Sequence, residues 1–167
     1  MLNKSWAKTK SFKKWSKNVV RASATTKKKR RSSKDMCSVA NFCKGAKDIP
    51  RKLMPQIYDA AKFASLIKSK YGVKSHKKTM KMTELKPSQN EINKDRVQSV
   101  IGAIKDGSLD KNPMVVSQDG YVVDGHHRWA AYKKHSPGTK VPVLVIELPV
   151  KEALGLAIAV SPKREGF

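Results

Sequence analysis

The sequence predicts an α+β protein, a small mixed sheet with packed helices, preceded by a basic and largely disordered N-terminal arm. Three observations support this prediction. Helical and strand-like periodicities alternate from residue 49 to residue 159, a hairpin pattern lies between them, and positive charge is concentrated at the start of the chain. Because 39% of the 167 residues are hydrophobic, the chain can build one modest core.

Charge divides the chain into unlike parts. Residues 1–34 hold 13 Lys or Arg and no acid, whereas residues 84–147 hold nine basic and eight acidic residues. Overall, 36 basic against 13 acidic residues leave a net charge of +23, which favours a polyanionic partner. The predicted parts are a basic arm (1–44), a helical lead-in segment (45–78), a folded domain (79–160) and a tail (161–167).

The basic arm has a helical pattern followed by a block of charge. Phe12, Trp15 and Val19 have the spacing of an amphipathic helix. Either this helix is solvated and orders only on binding, or it lays its cations along phosphate or anionic lipid. The block KKKRRSSK that follows is typical of disorder. The candidate nucleic-acid-binding residues are Lys13, Lys14, Lys17, Lys27, Lys28, Lys29, Arg30 and Arg31.

The lead-in segment and the first part of the domain predict two helices and a strand. Phe63 and Ile67 lie on the apolar face of the first helix, which Gly72 ends as a C-cap. The alternation in TMKMTEL, residues 79–85, predicts a strand that KPSQN interrupts. The second helix, from residue 93 to 108, turns its apolar face inward and ends at Gly107.

The second half of the domain predicts a hairpin, a helix, a strand and a closing helix. NPMVVSQDGYVVDG has the pattern of two strands, Met114–Val116 and Tyr121–Val123, joined by a glycine turn. A helix from Arg128 to Lys134 follows. KVPVLVIEL is apolar enough for a buried strand, and PVKEALGLAIA predicts the closing helix.

The segment DGHHR, residues 124–128, lies where the hairpin gives way to a helix. Gly125 permits a sharp turn, and the first amides of the helix favour an anion. Arg128 offers a planar fork for phosphate oxygens, and His127 can donate a proton near neutral pH. The pattern therefore predicts a phosphate pocket, although histidine and arginine at a helix start are more often structural or solvated. Trp129 is expected in the core.

From Leu85 to Ile158, 74 of the 167 residues, the sequence resembles the ParB/sulfiredoxin-like superfamily. LKPSQ is similar to its opening strand and turn, DRVQSVIGAI to its first helix, and DGYVVDGHHRWAAY to its nucleotide-binding turn. The resemblance implies a ParB/sulfiredoxin-like fold that binds a nucleoside triphosphate or diphosphate with Mg²⁺. The residues it implies for the nucleotide are Arg96, Ser99, Gly125, His127 and Arg128.

Asp124, His126 and Glu91 are the candidate catalytic residues. His126 stands where a sulfiredoxin has its reactive cysteine, so the resemblance does not extend to sulfinic-acid repair. Asp124 is similar to the acid in the Asp-Gly-His-His-Arg turn of the superfamily's free-serine kinase branch. It either accepts a hydroxyl proton or binds Mg²⁺, or it caps the helix. Glu91 either faces the pocket or is an exposed first-turn residue.

These interpretations favour a nucleic-acid-associated protein that binds a nucleotide or a nucleic-acid phosphate at the DGHHR turn, with nuclease or nucleotide-hydrolase activity as the expected chemistry. The alternatives are a non-enzymatic packaging or scaffold protein and a small-molecule (amino-acid) kinase. The chain has no apolar run near the roughly 20 residues that span a bilayer. Cys37 and Cys43 are expected to be reduced thiols. The expected location is cytoplasmic, in a phage or mobile-element setting.

Overall fold

The computed structural model describes residues 4–26, 49, 53–89 and 92–161. The helices are α1 (Lys10–Thr26), α2 (Ala60–Tyr71), α3 (Lys94–Asp106), α4 (His126–His135) and α5 (Val150–Val160). The strands are β1 (Ser75–Lys81), β2 (Lys86–Pro87), β3 (Met114–Ser117), β4 (Tyr121–Asp124) and β5 (Lys140–Ile146). Helices and strands thus combine in one α+β fold, as the sequence predicted. Within the described residues, no helix has the length and apolarity needed to cross a membrane.

The five strands form one mixed sheet in the order β1-β5-β3-β4-β2. β1 pairs with β5, and β3 with β4, in antiparallel fashion. β3 pairs with β5, and β2 with β4, in parallel. The β3–β4 hairpin matches the predicted one, and Gly120 turns it with a φ of 82°, which a residue without a side chain adopts readily.

Helices cover both faces of the sheet because successive side chains of a strand point to opposite faces. Val115 and Val123 point to one face and join the cluster formed with α1, α2 and α5. Val116 and Val122 point to the other face and pack with α3 and α4. Trp129, at the centre of this second cluster, is fully buried, which confirms its predicted place in the core.

The predicted C-caps of α2 and α3 are present, and α2 also has an N-cap. The side chain of Asp59 accepts a hydrogen bond from the amide of Lys62 at 2.9 Å, which makes Asp59 the N-cap of α2. Gly72 and Gly107 end α2 and α3 in the left-handed conformation, with φ of 68° and 76°. The start of α2 and the ends of both helices therefore lie directly next to their capping residues.

The first strand lies earlier in the chain than its pattern predicted. The expected strand was 79–85, whereas β1 runs over Ser75–Lys81 and a 3₁₀ turn, Met82–Glu84, follows. Most β1 side chains are exposed, because the strand is at the edge of the sheet. A strand with both faces exposed to solvent has no alternation of apolar and polar side chains, so the sequence pattern located only its last residues, 79–81.

The N-terminal segment differs from the predicted arm over residues 4–26. A 3₁₀ turn, Ser5–Lys8, and helix α1 pack against α5, with Trp6 and Trp15 in the core. The indole nitrogen of Trp15 donates to the carbonyl of Leu53 at 2.6 Å. Phe12 lies so close to Gly155 that a Cβ there would overlap its ring. The described part of the arm is therefore an integral part of the fold.

Several predictions fall outside the described residues. They concern the remainder of the arm up to residue 44, the basic residues from Lys27 to Arg31, both cysteines, and the tail beyond residue 161.

Candidate functional site

A cavity of about 440 Å³ opens beside the turn between β4 and α4. The loop before α2, the exposed face of α3, the loop after α3 and the turn itself contribute to its wall. Seven of the residues predicted for the site line it: Arg96, Ser99, Asp124, Gly125, His126, His127 and Arg128. The eighth, Glu91, lies outside the described residues. Segments far apart in sequence thus meet at one place.

Gly125 makes the turn at the start of α4 possible. It is the N-cap of the helix, and its φ of 106° lies in the left-handed region. A Cβ at this position would stand 2.7 Å from Cγ of Met114, so both the backbone conformation and the space favour glycine.

Asp124 lies in the cavity wall, one residue before the N-cap of α4. It is the last residue of β4, where it pairs with Val115, and it is half-buried. Gly125, the residue after Asp124, is the N-cap of α4.

His126 ties the end of β2 to the turn. Its Nε2 atom accepts hydrogen bonds from the amides of Ser88 at 3.1 Å and Gln89 at 3.3 Å. The side chain is buried, and burial lowers the pKa of His126 to about 3, with a smaller contribution from the neighbouring His127. An acceptor at Nε2 places the proton of the neutral ring on Nδ1. His126 is thus a neutral, internal residue of the turn.

The buried ring of His126 predicts that acid destabilises the fold. Because the folded-state pKa lies below the ordinary value of 6.5, the unfolded chain binds the additional proton as the pH falls from about 6.5 towards 3. The free energy of unfolding should therefore fall by roughly 2 kcal/mol between pH 7 and pH 5 through this group. Urea denaturation at a series of pH values measures the effect.

The control is His126→Gln, which keeps a hydrogen-bond acceptor but does not titrate. The difference in unfolding free energy between the wild type and the variant isolates His126 from the other histidines and the carboxyl groups. That difference should shrink as the pH falls. Parallel curves for the two proteins would mean that His126 is not held neutral.

His127 and Arg128 are both half-buried on the first turn of α4. Nε2 of His127 accepts from the amide of Asn93 at 3.1 Å, which leaves Nδ1 to carry its proton. Arg128 donates from Nη1 to the carbonyl of Asn112 and retains the other N–H groups of its guanidinium. The two side chains are oriented by the backbone of neighbouring loops, and the guanidinium of Arg128 has further N–H groups besides the one bound to Asn112.

The start of α3 is joined to the start of α4. Asn93, whose amide binds His127, also caps α3 by accepting from the amide of Arg96 at 3.0 Å. Arg96 and Ser99 follow one helical turn apart, both exposed on the face that lines the cavity. Among the described residues Arg96 has no ion-pair partner. Its charge is therefore available to a ligand in the same cavity as Arg128.

Ten lining residues have no counterpart in the predicted site, and two of them, Asn112 and Tyr58, are joined by a hydrogen bond. The side chain of Asn112 accepts from the amide of Ala60 and donates to the carbonyl of Tyr58, both at 3.1 Å. These contacts join two loops about 50 residues apart in sequence. No local motif marks such residues, because their importance arises from tertiary backbone contacts.

The donor set suits a magnesium ion that is held partly by phosphate. In the part of the chain that the structure describes, no group of three or more His, Cys, Asp and Glu is placed to hold a metal ion. Mg²⁺ bound with a nucleotide needs one or two carboxylates besides the phosphates. Asp110 and Asp124 line the cavity, so the residues present fit this kind of site.

No family model matches the chain, and no curated protein matches it. A solved structure of a Pnob8-like ParB-N domain is similar, with 15% sequence identity and a TM-score of 0.41. The similarity covers 48% of this chain and 33% of that chain, so this chain spans about a third of the length of the protein it matches.

Proposed function

We propose that the protein is associated with nucleic acid and binds the phosphates of a nucleotide, or of nucleic acid itself, at the turn between β4 and α4. One observation carries this proposal: two arginines, a histidine and the start of a helix converge on one cavity. Partial positive charge at a helix start, combined with guanidinium donors, is an arrangement suited to phosphate oxygens.

Each residue has a distinct part in the proposed site. Arg128, anchored to Asn112, holds phosphate oxygens with its remaining donors, and Arg96 approaches from α3. His127, oriented through its Nε2 by the amide of Asn93, lies beside the phosphates on the first turn of α4. Ser99 supplies a hydroxyl. Gly125 keeps the backbone close enough for the amides of the first turn to reach the ligand.

Asp124 is the proposed reactive group, and His126 is a positioning residue. A carboxylate beside phosphates can hold Mg²⁺, which would neutralise phosphate charge, or accept a proton from an attacking hydroxyl or water. His126, buried with its Nε2 occupied, holds the turn in shape. The reaction class that fits is phosphoryl or phosphodiester chemistry, that is nucleotide hydrolysis, nuclease action or transfer to a small hydroxyl.

The site is tested by the melting temperature of the full chain with a panel of nucleotides. ATP, ADP or CTP with Mg²⁺, at a concentration about 100 times the dissociation constant, should stabilise the fold by about 2.7 kcal/mol. For a chain of this size the melting temperature should rise by roughly 5–10 °C. No shift with any nucleotide at millimolar concentration would favour the alternative, a non-enzymatic basic scaffold, which the net charge of +23 supports.

The surface of α1 supports the nucleic-acid part of the proposal. Lys13, Lys14 and Lys17 are exposed, while Trp15 is buried against the domain. The fold therefore holds three cations in fixed positions on one helix. Contacts between such cations and backbone phosphates give salt-dependent binding that is independent of sequence.

Replacing Lys13, Lys14 and Lys17 together with alanine should weaken binding to duplex DNA and to RNA. The plot of log K against log salt has a negative slope, and each lost phosphate contact makes it shallower by about 1. The magnitude of the slope should therefore decrease by up to about 3. Fluorescence anisotropy over a series of salt concentrations measures the slope.

A control variant removes the same charge elsewhere. Lys62, Lys68 and Lys105 are exposed on α2 and α3, and their replacement by alanine should change the slope less than replacement of the α1 lysines. Equal losses for the two variants would mean that general charge rather than α1 determines the affinity.

A further inference from the structure

Tyr58 is an exposed aromatic side chain in the wall of the cavity. In the described part of the chain, the large hydrophobic residues that are exposed are Val20, Tyr58 and Leu66, and Tyr58 is 68% exposed. Tyr58 lines the cavity, whereas Val20 and Leu66 do not. A solvent-exposed aromatic ring beside a cationic pocket offers a flat apolar surface to a ligand.

The backbone of Tyr58 is held in place. Its carbonyl accepts from the side-chain amide of Asn112 at 3.1 Å, and two residues later the amide of Ala60 donates to the same side chain at 3.1 Å. The carbonyl of Asn112 in turn accepts from Arg128. A short chain of contacts therefore connects the aromatic residue to the proposed phosphate-binding arginine, and the ring is carried on an anchored loop.

The cavity has two kinds of wall. Arg96, Arg128 and the start of α4 contribute positive charge to the cavity. Tyr58, Val100 and Leu109 contribute aromatic and aliphatic surface to the same cavity. A free phosphate would bind to these cationic groups alone. A volume of about 440 Å³ lies within the range of pockets that take small organic ligands or cofactors, so the ligand that fits has an anionic end and a flat apolar part.

We propose that the ring of Tyr58 stacks on the base of a nucleotide whose phosphates lie at Arg96 and Arg128. This inference rests on the proposed function and narrows its ligand to the class that carries a nucleobase. Stacking on an aromatic side chain tolerates different bases because each has a π-face, so Tyr58 selects nucleotides over other phosphorylated molecules rather than one base over another.

Calorimetric titration of the full chain with two probes tests the assignment. ATP with Mg²⁺ carries a base, and tripolyphosphate with Mg²⁺ carries the phosphates alone. Tyr58→Ala should lower the affinity for ATP by about tenfold or more and leave the affinity for tripolyphosphate within about twofold. Tyr58→Phe, which keeps the ring, should bind ATP as the wild type does.

The outcomes separate the inference from the function on which it rests. If the wild type binds both probes and Tyr58→Ala binds ATP equally well, the stacking role is wrong and the phosphate site stands. Equal losses for ATP and tripolyphosphate would also overturn it, since Tyr58 would then act on the shape of the site. If the wild type binds neither probe, the phosphate site itself fails and the stacking role with it.

Discussion

Trp15→Ala should lower the free energy of unfolding of the full chain by about 3–5 kcal/mol. Trp15 is 6% exposed and belongs to the core cluster on the α1, α2 and α5 face of the sheet. Its indole nitrogen donates to the carbonyl of Leu53, and truncation leaves both a cavity and a carbonyl without this donor. Urea denaturation followed by circular dichroism measures the change.

Val20→Ala, on the same helix, is the matched control for Trp15. Val20 is 68% exposed, and a surface substitution of this kind should change the stability by no more than about 0.5 kcal/mol. If both variants were as stable as the wild type, α1 would not be docked on the domain. The N-terminal segment would then be a separate arm, as its charge pattern predicted.

Arg128→Ala should weaken nucleotide binding by about 10- to 100-fold, because a hydrogen bond to a charged group contributes about 1.5–3 kcal/mol. The guanidinium contributes through its charge and through its planar pair of donors, and its anchor on Asn112 holds it at the cavity. Calorimetric titration with ATP and Mg²⁺ measures the loss. The melting temperature of the variant without ligand shows whether the fold is intact.

Two further variants separate geometry from charge at Arg128. Arg128→Lys keeps the positive charge but not the planar pair of N–H donors, so its affinity for ATP should lie between those of the wild type and Arg128→Ala. Lys105→Ala removes one positive charge from an exposed position on α3 that does not line the cavity, and it should bind ATP as the wild type does. Similar affinities for Arg128→Ala and Lys105→Ala would remove Arg128 from the binding site.

Much of the fold could be predicted because its information is local. The helices α2 and α3 have both the 3.6-residue apolar period and glycine C-caps, Gly72 and Gly107. The β3–β4 hairpin has an apolar strand on each side of a glycine turn. Local propensity, periodicity and turn residues agree in these segments, and such agreement makes a pattern reliable.

The remainder depends on tertiary contacts. β1 is an exposed edge strand, and its side chains do not alternate between apolar and polar. Whether the amphipathic helix α1 is docked depends on a complementary surface, which Leu53 and Gly155 supply from distant parts of the chain. Periodicity predicts the helix but does not say what covers its apolar face.

The candidate site also has a part that the local sequence predicts and a part that depends on tertiary contacts. Residues 124–128 are contiguous, so their glycine, histidines and arginine could be recognised as a possible ligand turn, and the structure brings them together with Arg96 and Ser99. The use of Nε2 of His126 as an acceptor for two backbone amides could not be recognised, since it requires the loop after β2 to lie against α4. The same holds for Tyr58 and Asn112.

The position of the ligand is the most direct test of the phosphate site. In an amide ¹H–¹⁵N NMR titration of the full chain with ATP and Mg²⁺, the largest shift changes should fall on Gly125, His127, Arg128 and Arg96. Amides of β1, on the far edge of the sheet, should change little. Saturable changes confined to the turn and the start of α3 are the result expected. Changes confined to α1, or none at millimolar nucleotide, would contradict a phosphate site between β4 and α4.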